Sequence, residues 1–194
     1  VDHAHNHATA PPGVSRLVAA GTLDAELGAL LWILVEGGVP LLVCGPADDT
    51  DLAVIAAALS ESAPPRELAD QTRRAATTLR ATSLKDAFDI LGAEPFNLGD
   101  DDIRSLGVVI VIRDGRAAAV HYVRPVERDK EGHLQRRPPA VLATWDGDAG
   151  RFEHFAWAMT PELGARVGRT QADFEELQKS RAHTLSHSIL ATVH

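Results

Sequence analysis

The chain has 194 residues, enough for one domain with a substantial core. Hydrophobic residues make up 45% and charged residues 24%, the balance of a soluble globular protein. Its 27 acids against 19 Lys plus Arg leave a formal net charge of -8, which argues against a nucleic-acid binder with a basic face.

Residues 1 to 13 (VDHAHNHATAPPG) are polar, lack the apolar core of a signal peptide, and read as a flexible tail that stops at Pro11-Pro12-Gly13. His3, His5 and His7 alternate, so an extended tail projects them to one side, where they can chelate a transition metal. Adventitious binding by a mobile tail is the plainer reading. No apolar run reaches the length of about 18 residues that a membrane helix needs. The expected setting is therefore the cytoplasm, without membrane insertion. Residues 14 to 20 (VSRLVAA) predict a short helix closed by Gly21. Thr22 or Asp24 caps the next helix, which runs to about Glu36. Its apolar residues nearly encircle it, the mark of a buried helix. Trp32 belongs to that core, and Gly37-Gly38 ends the helix.

Residues 39 to 60 (VPLLVCGPADDTDLAVIAAALS) have the layout of a phosphate-binding loop: a buried strand to Cys44, a tight loop from Gly45-Pro46, and a helix from about Asp51. Gly45 stands at the first glycine position. Thr50 stands at the second, Asp51 at the lysine and Leu52 at the hydroxyl. The loop has the scaffold of a nucleotide site without the cation and the magnesium-binding hydroxyl that the chemistry needs. Asp48, Asp49 and Asp51 place three carboxylates where a polyphosphate would sit. Like charges cost roughly 4 kcal/mol per pair at 4 Å and an effective dielectric near 20. Cys44, the single cysteine, cannot form an internal disulfide and reads as a buried structural thiol in a reducing compartment.

Pro64-Pro65 breaks the chain, and residues 66 to 75 suggest a polar helix. Thr77 to Ala81 reads as a short strand, and Ser83 caps a helix with Leu84, Ala87, Phe88 and Leu91 on one face. Asp100 to Asp102 cap one turn holding Ile103 and Leu106. Val108 to Ile112 is a continuous apolar, β-branched run suited to a buried strand. Asp114-Gly115 signals a hairpin whose returning strand is Ala117 to Val126. Residues 127 to 138 are charged and loop-like. Pro139 to Trp145 and Arg151 to Phe155 form a further hairpin across Asp146-Gly147. Pro161 opens a short helix ending at Gly168. Thr170 and Asp173 form a capping box for the last helix. His183 and His187 share a face of that helix; without an evident third ligand they read as polar surface. Arg73-Arg74-Arg80 and Arg136-Arg137 are the local basic groups, read as solvated surface.

Residues 17 to 46 (LVAAGTLDAELGALLWILVEGGVPLLVCGP) resemble the segment leading into the phosphate loop of the traffic ATPases of type II and type IV secretion, pilus assembly and the archaeal flagellar motor. TTLRATS (77 to 83) resembles that family's "STLHA-S" segment, with Arg80 where the family has a histidine. EPFNL (94 to 98) is similar to "PPFNVP", and ATWDGDAGRFEHF (143 to 155) to the C-terminal end of the archaeal-type branch. The resemblance implies a shortened RecA-like α/β domain, with a mostly parallel sheet, C-terminal antiparallel hairpins and terminal helices, over residues 14 to 194. The family's long stretch between the phosphate loop and the histidine segment, which carries its magnesium acids, catalytic glutamate and subunit-reaching arginines, is cut short here. The expectation is a non-catalytic module that binds a secretion or pilus ATPase or a second copy of itself, most simply as a dimer, with no cofactor. Gly45, Pro46, Thr50 and Asp51 mark the degenerate loop. Two other readings stand beside it. One is an ATPase that binds ATP and magnesium with Arg73, Arg74 or Arg80 as the cation; the other is a metal-responsive protein using the tail histidines.

Overall fold

The computed structural model describes residues 9–46, 51–63 and 76–192. The tail histidines His3, His5 and His7, Thr50 with its neighbouring aspartates Asp48 and Asp49, and the expected helix 66–75 with Arg73 and Arg74 lie outside the described residues.

Helix α1 (Pro12–Ala19) starts two residues earlier than its sequence pattern suggests. Proline suits the first helical position because its missing N–H would be unpaired there anyway, so the Pro-Pro-Gly stretch opens the helix rather than closing a tail. Ala10 and Gly13 are already buried. Helix α2 (Ala25–Glu36) is capped by Asp24, whose Oδ1 accepts from Leu27 N–H at 2.9 Å. Every residue from Leu27 to Val35 is buried, as its all-round apolar character requires.

Strand β1 (Leu41–Gly45) leads to helix α3 (Asp51–Ser60), and the chain returns as strand β2 (Ala76–Arg80). Helix α4 (Leu84–Gly92), the short helix α5 (Asp100–Ile103) and a 3-10 turn at Arg104–Leu106 then lead to strand β3 (Val108–Arg113). Strand β4 (Arg116–Tyr122) follows through Asp114-Gly115, both at positive φ, as a two-residue hairpin demands. Strands β5 (Glu127–Arg128) and β6 (Leu134–Gln135) make a two-stranded ribbon within the segment expected to be loop. Strands β7 (Ala140–Asp146) and β8 (Arg151–His154), a 3-10 turn at Ala156–Met159, helix α6 (Thr160–Arg166) and helix α7 (Gln171–Thr192) complete the order.

The six-stranded sheet runs β2-β1-β3-β4-β7-β8. Strand β1 pairs in parallel with β2 and β3, while the β3–β4, β4–β7 and β7–β8 pairings are antiparallel. The fold is thus α/β with a mixed sheet, parallel where it begins and antiparallel afterwards, rather than mostly parallel. The reason is connection length. The long crossovers through α3 and through α4–α5 return the chain in the same direction, the β3–β4 and β7–β8 turns are too short to do so, and the β4–β7 connection is taken up by the β5–β6 ribbon and brings the chain back antiparallel. Strand β1 lies inside the sheet, one strand in from the β2 end.

Alternate residues of β1 enter different cores. Leu41 and Val43 join the large cluster under α1, α2, α3 and α7. Leu42 and Cys44 join a smaller cluster under α4 and α5, with Leu91, Ile103 and Val109. Helix α7 lies along α2, where Arg181 is only 5% exposed, stacks its guanidinium 4.0 Å from the Trp32 ring centre and pairs with Glu36. Among the described residues, no helix is long and apolar enough to cross a membrane.

The contact between α1 and α3 supplies a direct test. A Cβ added at Gly13 would lie 2.3 Å from the backbone oxygen of Ala58. Gly13→Ala is expected to cost about 1–3 kcal/mol, as overpacking does. In urea denaturation the midpoint should fall while the slope stays unchanged.

Candidate functional site

The end of β1 is where the phosphate-loop layout would place a ligand. In open sheets the crevice beyond the carboxyl ends of parallel strands is the usual ligand position. Three parallel strands end there, and Gly45 stands in register with Arg80 of β2. Gly45 O accepts from Ala81 N–H at 3.0 Å, which ties the two strand ends together. Leu52, at the hydroxyl position, is 5% exposed and belongs to the large core. Its Cδ2 lies 2.7 Å from where a Gly45 Cβ would stand. The absence of a side chain at Gly45 thus makes room for Leu52, and the first turn of α3 is held by apolar packing. Pro46 follows directly and is exposed; Asp51 opens α3. Arg80 is exposed at the same sheet end.

The neighbouring polar groups are satisfied internally. Asp86 Oδ2 accepts from Thr82 N–H at 2.7 Å and from its hydroxyl at 3.2 Å, while Ser83 Oγ accepts from Asp86 N–H at 3.1 Å. Cys44 is fully buried, and burial, reinforced by the Asp86 charge, pushes its thiol up to about 12. A thiol held so far from ionisation is no nucleophile.

A second cluster joins residues that lie far apart in the chain. His154 of β8 meets Asp24, with Nε2 2.8 Å from Oδ2, and its Nδ1 lies 3.8 Å from Glu26. One carboxylate thus caps α2 and anchors an edge strand. Beside it, Trp145 and Phe152 meet edge-to-face at 5.0 Å, and Arg116 lies 4.6 Å from the Trp145 ring centre. They line a recess of about 410 Å³ with Val18, Leu23 and Asp24. Asp24 is legible in the sequence only as a helix cap. Nothing local connects it to His154, 130 positions away.

The arginines near the ribbon are committed to carboxylates. Arg136 pairs with Asp100 and Asp101, Arg137 with Glu127 and Glu162, and Arg124 with Glu162. Arg104 pairs with Asp100 and also donates to Arg137 O at 2.7 Å. This lattice fastens the β5–β6 segment to α5 and α6, and it leaves Arg136-Arg137 no excess positive charge for a phosphate backbone. Asp129, Glu131 and His133 cluster at the ribbon turn with ligand atoms within 4.8 Å. Asp129, though, already accepts from the Glu131 and His133 N–H groups and from Gln135 Nε2. His183 and His187 place their rings 4.2 Å apart on α7.

Comparison with known proteins found no matching family model and no match among curated proteins.

The His154 contact has a pH signature. Burial lowers the imidazole pKa, but the Asp24 hydrogen bond and the charges of Asp24 and Glu26 outweigh it, and the net position is above the ordinary 6.5. A raised folded-state pKa stabilises the fold below the unfolded value, and that gain is lost as pH rises through the raised one. Denaturant midpoints at pH 6 and pH 8.5 for the native chain and His154→Gln should differ more at pH 6. After solvent screening the effect is expected to stay under about 1 kcal/mol.

Proposed function

We propose that the chain is a shortened, non-catalytic relative of the secretion and pilus ATPases that works as a protein-binding or regulatory module. The observation that carries this is Leu52. It stands where a phosphate loop needs a hydroxyl, and it is buried against Gly45. A phosphate site at this position would have to expose polar groups that a leucine cannot supply. Burial of that side chain stabilises the fold by about 1.5–3 kcal/mol, an interest opposed to ligand binding. The order of the motif-like segments, and the parallel β2-β1-β3 group with α3 after β1, support the kinship to a RecA-like domain. Its partner is a secretion or pilus ATPase or a second copy of the chain.

The rival is a nucleotide-binding ATPase with an unconventional loop. It draws on one observation: Arg80 is exposed in register with Gly45, at the end of the sheet where a triphosphate would need a cation. Against it stand Asp51 at the lysine position and the neighbouring aspartates. The helix N-terminus contributes only about 0.3–1 kcal/mol toward an anion.

Calorimetry separates the two. Mg-ATP and Mg-GTP are expected to show no binding tighter than about 1 mM, a free energy of about -4 kcal/mol. Asp51→Lys with Leu52→Thr should gain nucleotide affinity without hydrolysis. Micromolar nucleotide binding by the unaltered chain would establish the rival. For the assembly, light scattering at tens of micromolar is expected to give the mass of a dimer if the partner is a second copy; a monomer mass leaves the ATPase as partner.

A further inference from the structure

The three tryptophans divide by their surroundings. Trp32 carries Arg181 on its face at 4.0 Å, and Trp145 carries Arg116 at 4.6 Å. Trp157 is 75% exposed, and among the described residues no cation lies over its ring. It stands on the turn before α6, at the edge of a recess of about 310 Å³ between that turn, the start of α2 and a half-buried side of α7. Glu26, Thr160, Glu175, Gln178, Lys179 and Ala182 line the rest.

The charges of this recess are uneven. Two carboxylates face one ammonium group, and neither Glu26 nor Glu175 forms an ion pair with Lys179. Glu26 has only the distant Nδ1 of His154, at 3.8 Å, and Glu175 accepts from Gln171 at 2.9 Å. Each carboxylate has about four acceptor positions, so most of that capacity is open. An open indole face beside free carboxylate oxygens matches a planar guanidinium, which stacks on the ring and donates at its edge. An anion would meet two carboxylates on a chain whose net charge is -8. A neutral apolar ligand would leave the remaining acceptor positions of both carboxylates unused.

We propose that this recess receives an arginine side chain of a partner protein, with Trp157 as the stacking platform and Glu26 and Glu175 as acceptors. The proposal rests on reading the chain as a protein-binding module and assigns that module a contact point for a partner other than a second copy. A partner protein fits better than a free metabolite because the indole projects outward, with Phe155 partly exposed two residues earlier. Small-molecule sites enclose most of their ligand, whereas exposed tryptophan anchors are a mark of protein interfaces.

The test is a titration of the full chain followed by the Trp157 indole N–H resonance. The probes are acetyl-Gly-Arg-Gly-amide, the same peptide with Glu in place of Arg, and free L-arginine. The Arg peptide is expected to shift the Trp157 resonance with a dissociation constant of about 1–10 mM, the range for a ligand of this size. The Glu peptide should leave it unmoved, and free L-arginine should bind more weakly than the Arg peptide.

Trp157→Ala should weaken binding about tenfold or more, a change of about 1.4 kcal/mol, read from the amide resonances of Lys179 and Ala182. Trp157→Phe should retain most of the affinity, and Glu175→Gln should lose about threefold with a flatter salt dependence. Because Trp157 and Lys179 are solvent-exposed, unchanged resonances elsewhere will show that the variants keep their fold. The proposal is overturned if the Trp157 resonance does not move, if the Glu peptide moves it equally, or if Trp157→Ala binds as tightly as the native chain. Tighter binding of free L-arginine, or a shift with protein concentration alone, would assign the recess to a metabolite or to a second copy and would also overturn it. Nucleotide binding at the β1 end would displace the non-catalytic reading and leave this titration intact, so the two failures are separable.

Discussion

Helix α2 has no side that water can reach between Leu27 and Val35, and the rest of the molecule is arranged to cover it. The sheet supplies one cover and α1 and α7 supply others, through Val14, Val18, Phe174 and Leu185. Nine buried residues in one helix represent a gain on the order of 10 kcal/mol from apolar transfer, an upper figure because unfolded chains already hide some surface. At the C-terminal end of α2, Arg181 closes the packing by stacking on Trp32 and pairing with Glu36. At the N-terminal end, Asp24 satisfies an otherwise unpaired backbone N–H and holds His154. Both ends of the helix are therefore tied by charged groups to elements much later in the chain. This is why α7 and the β7–β8 hairpin are integral to the domain.

The consequence for function is that α2 positions the Trp157 recess. Glu26 lies in its first turn, two residues after the Asp24 anchor of His154, while α7 is held against the same helix and carries Glu175, Gln178 and Lys179. A surface formed by an edge turn and two packed helices keeps its shape without a ligand, which lowers the ordering cost of docking. The opposite logic holds at the end of β1. There Gly45 and Leu52 close on each other, and the leucine side chain is committed to the large apolar core.

Charge organises the remaining surface. Arg104, Arg124, Arg136 and Arg137 interleave with Asp100, Asp101, Glu127 and Glu162. Exposed pairs of this kind are each worth little. Sharing Asp100 and Glu162 between two arginines makes the network a positional device: it fastens a polar ribbon, with few apolar contacts of its own, against α5 and α6. The net charge of -8 is thus not spread evenly, and this region is nearly neutral while the Trp157 recess keeps an excess of carboxylate.

Local features were legible in the residues themselves. The all-round apolar pattern of 25–36, the β-branched run at 108–112, the Asp114-Gly115 turn and the Ser83 and Thr170 caps each depend on neighbours within a few positions, so periodicity and turn chemistry suffice. That Asp51 and Leu52 stand where a phosphate loop would carry a lysine and a hydroxyl is likewise a matter of residue identity at fixed spacing. Tertiary structure alone decided the strand order β2-β1-β3-β4-β7-β8, the balance of parallel and antiparallel pairing, and the start of α1 against α3. It also decided which polar residues act together. Asp24 and His154, or Glu26, Trp157 and Glu175, carry no mutual signal along the chain, because contacts between elements are set by how apolar faces stack. The polar groups at the rims of those faces meet only as a result of that stacking.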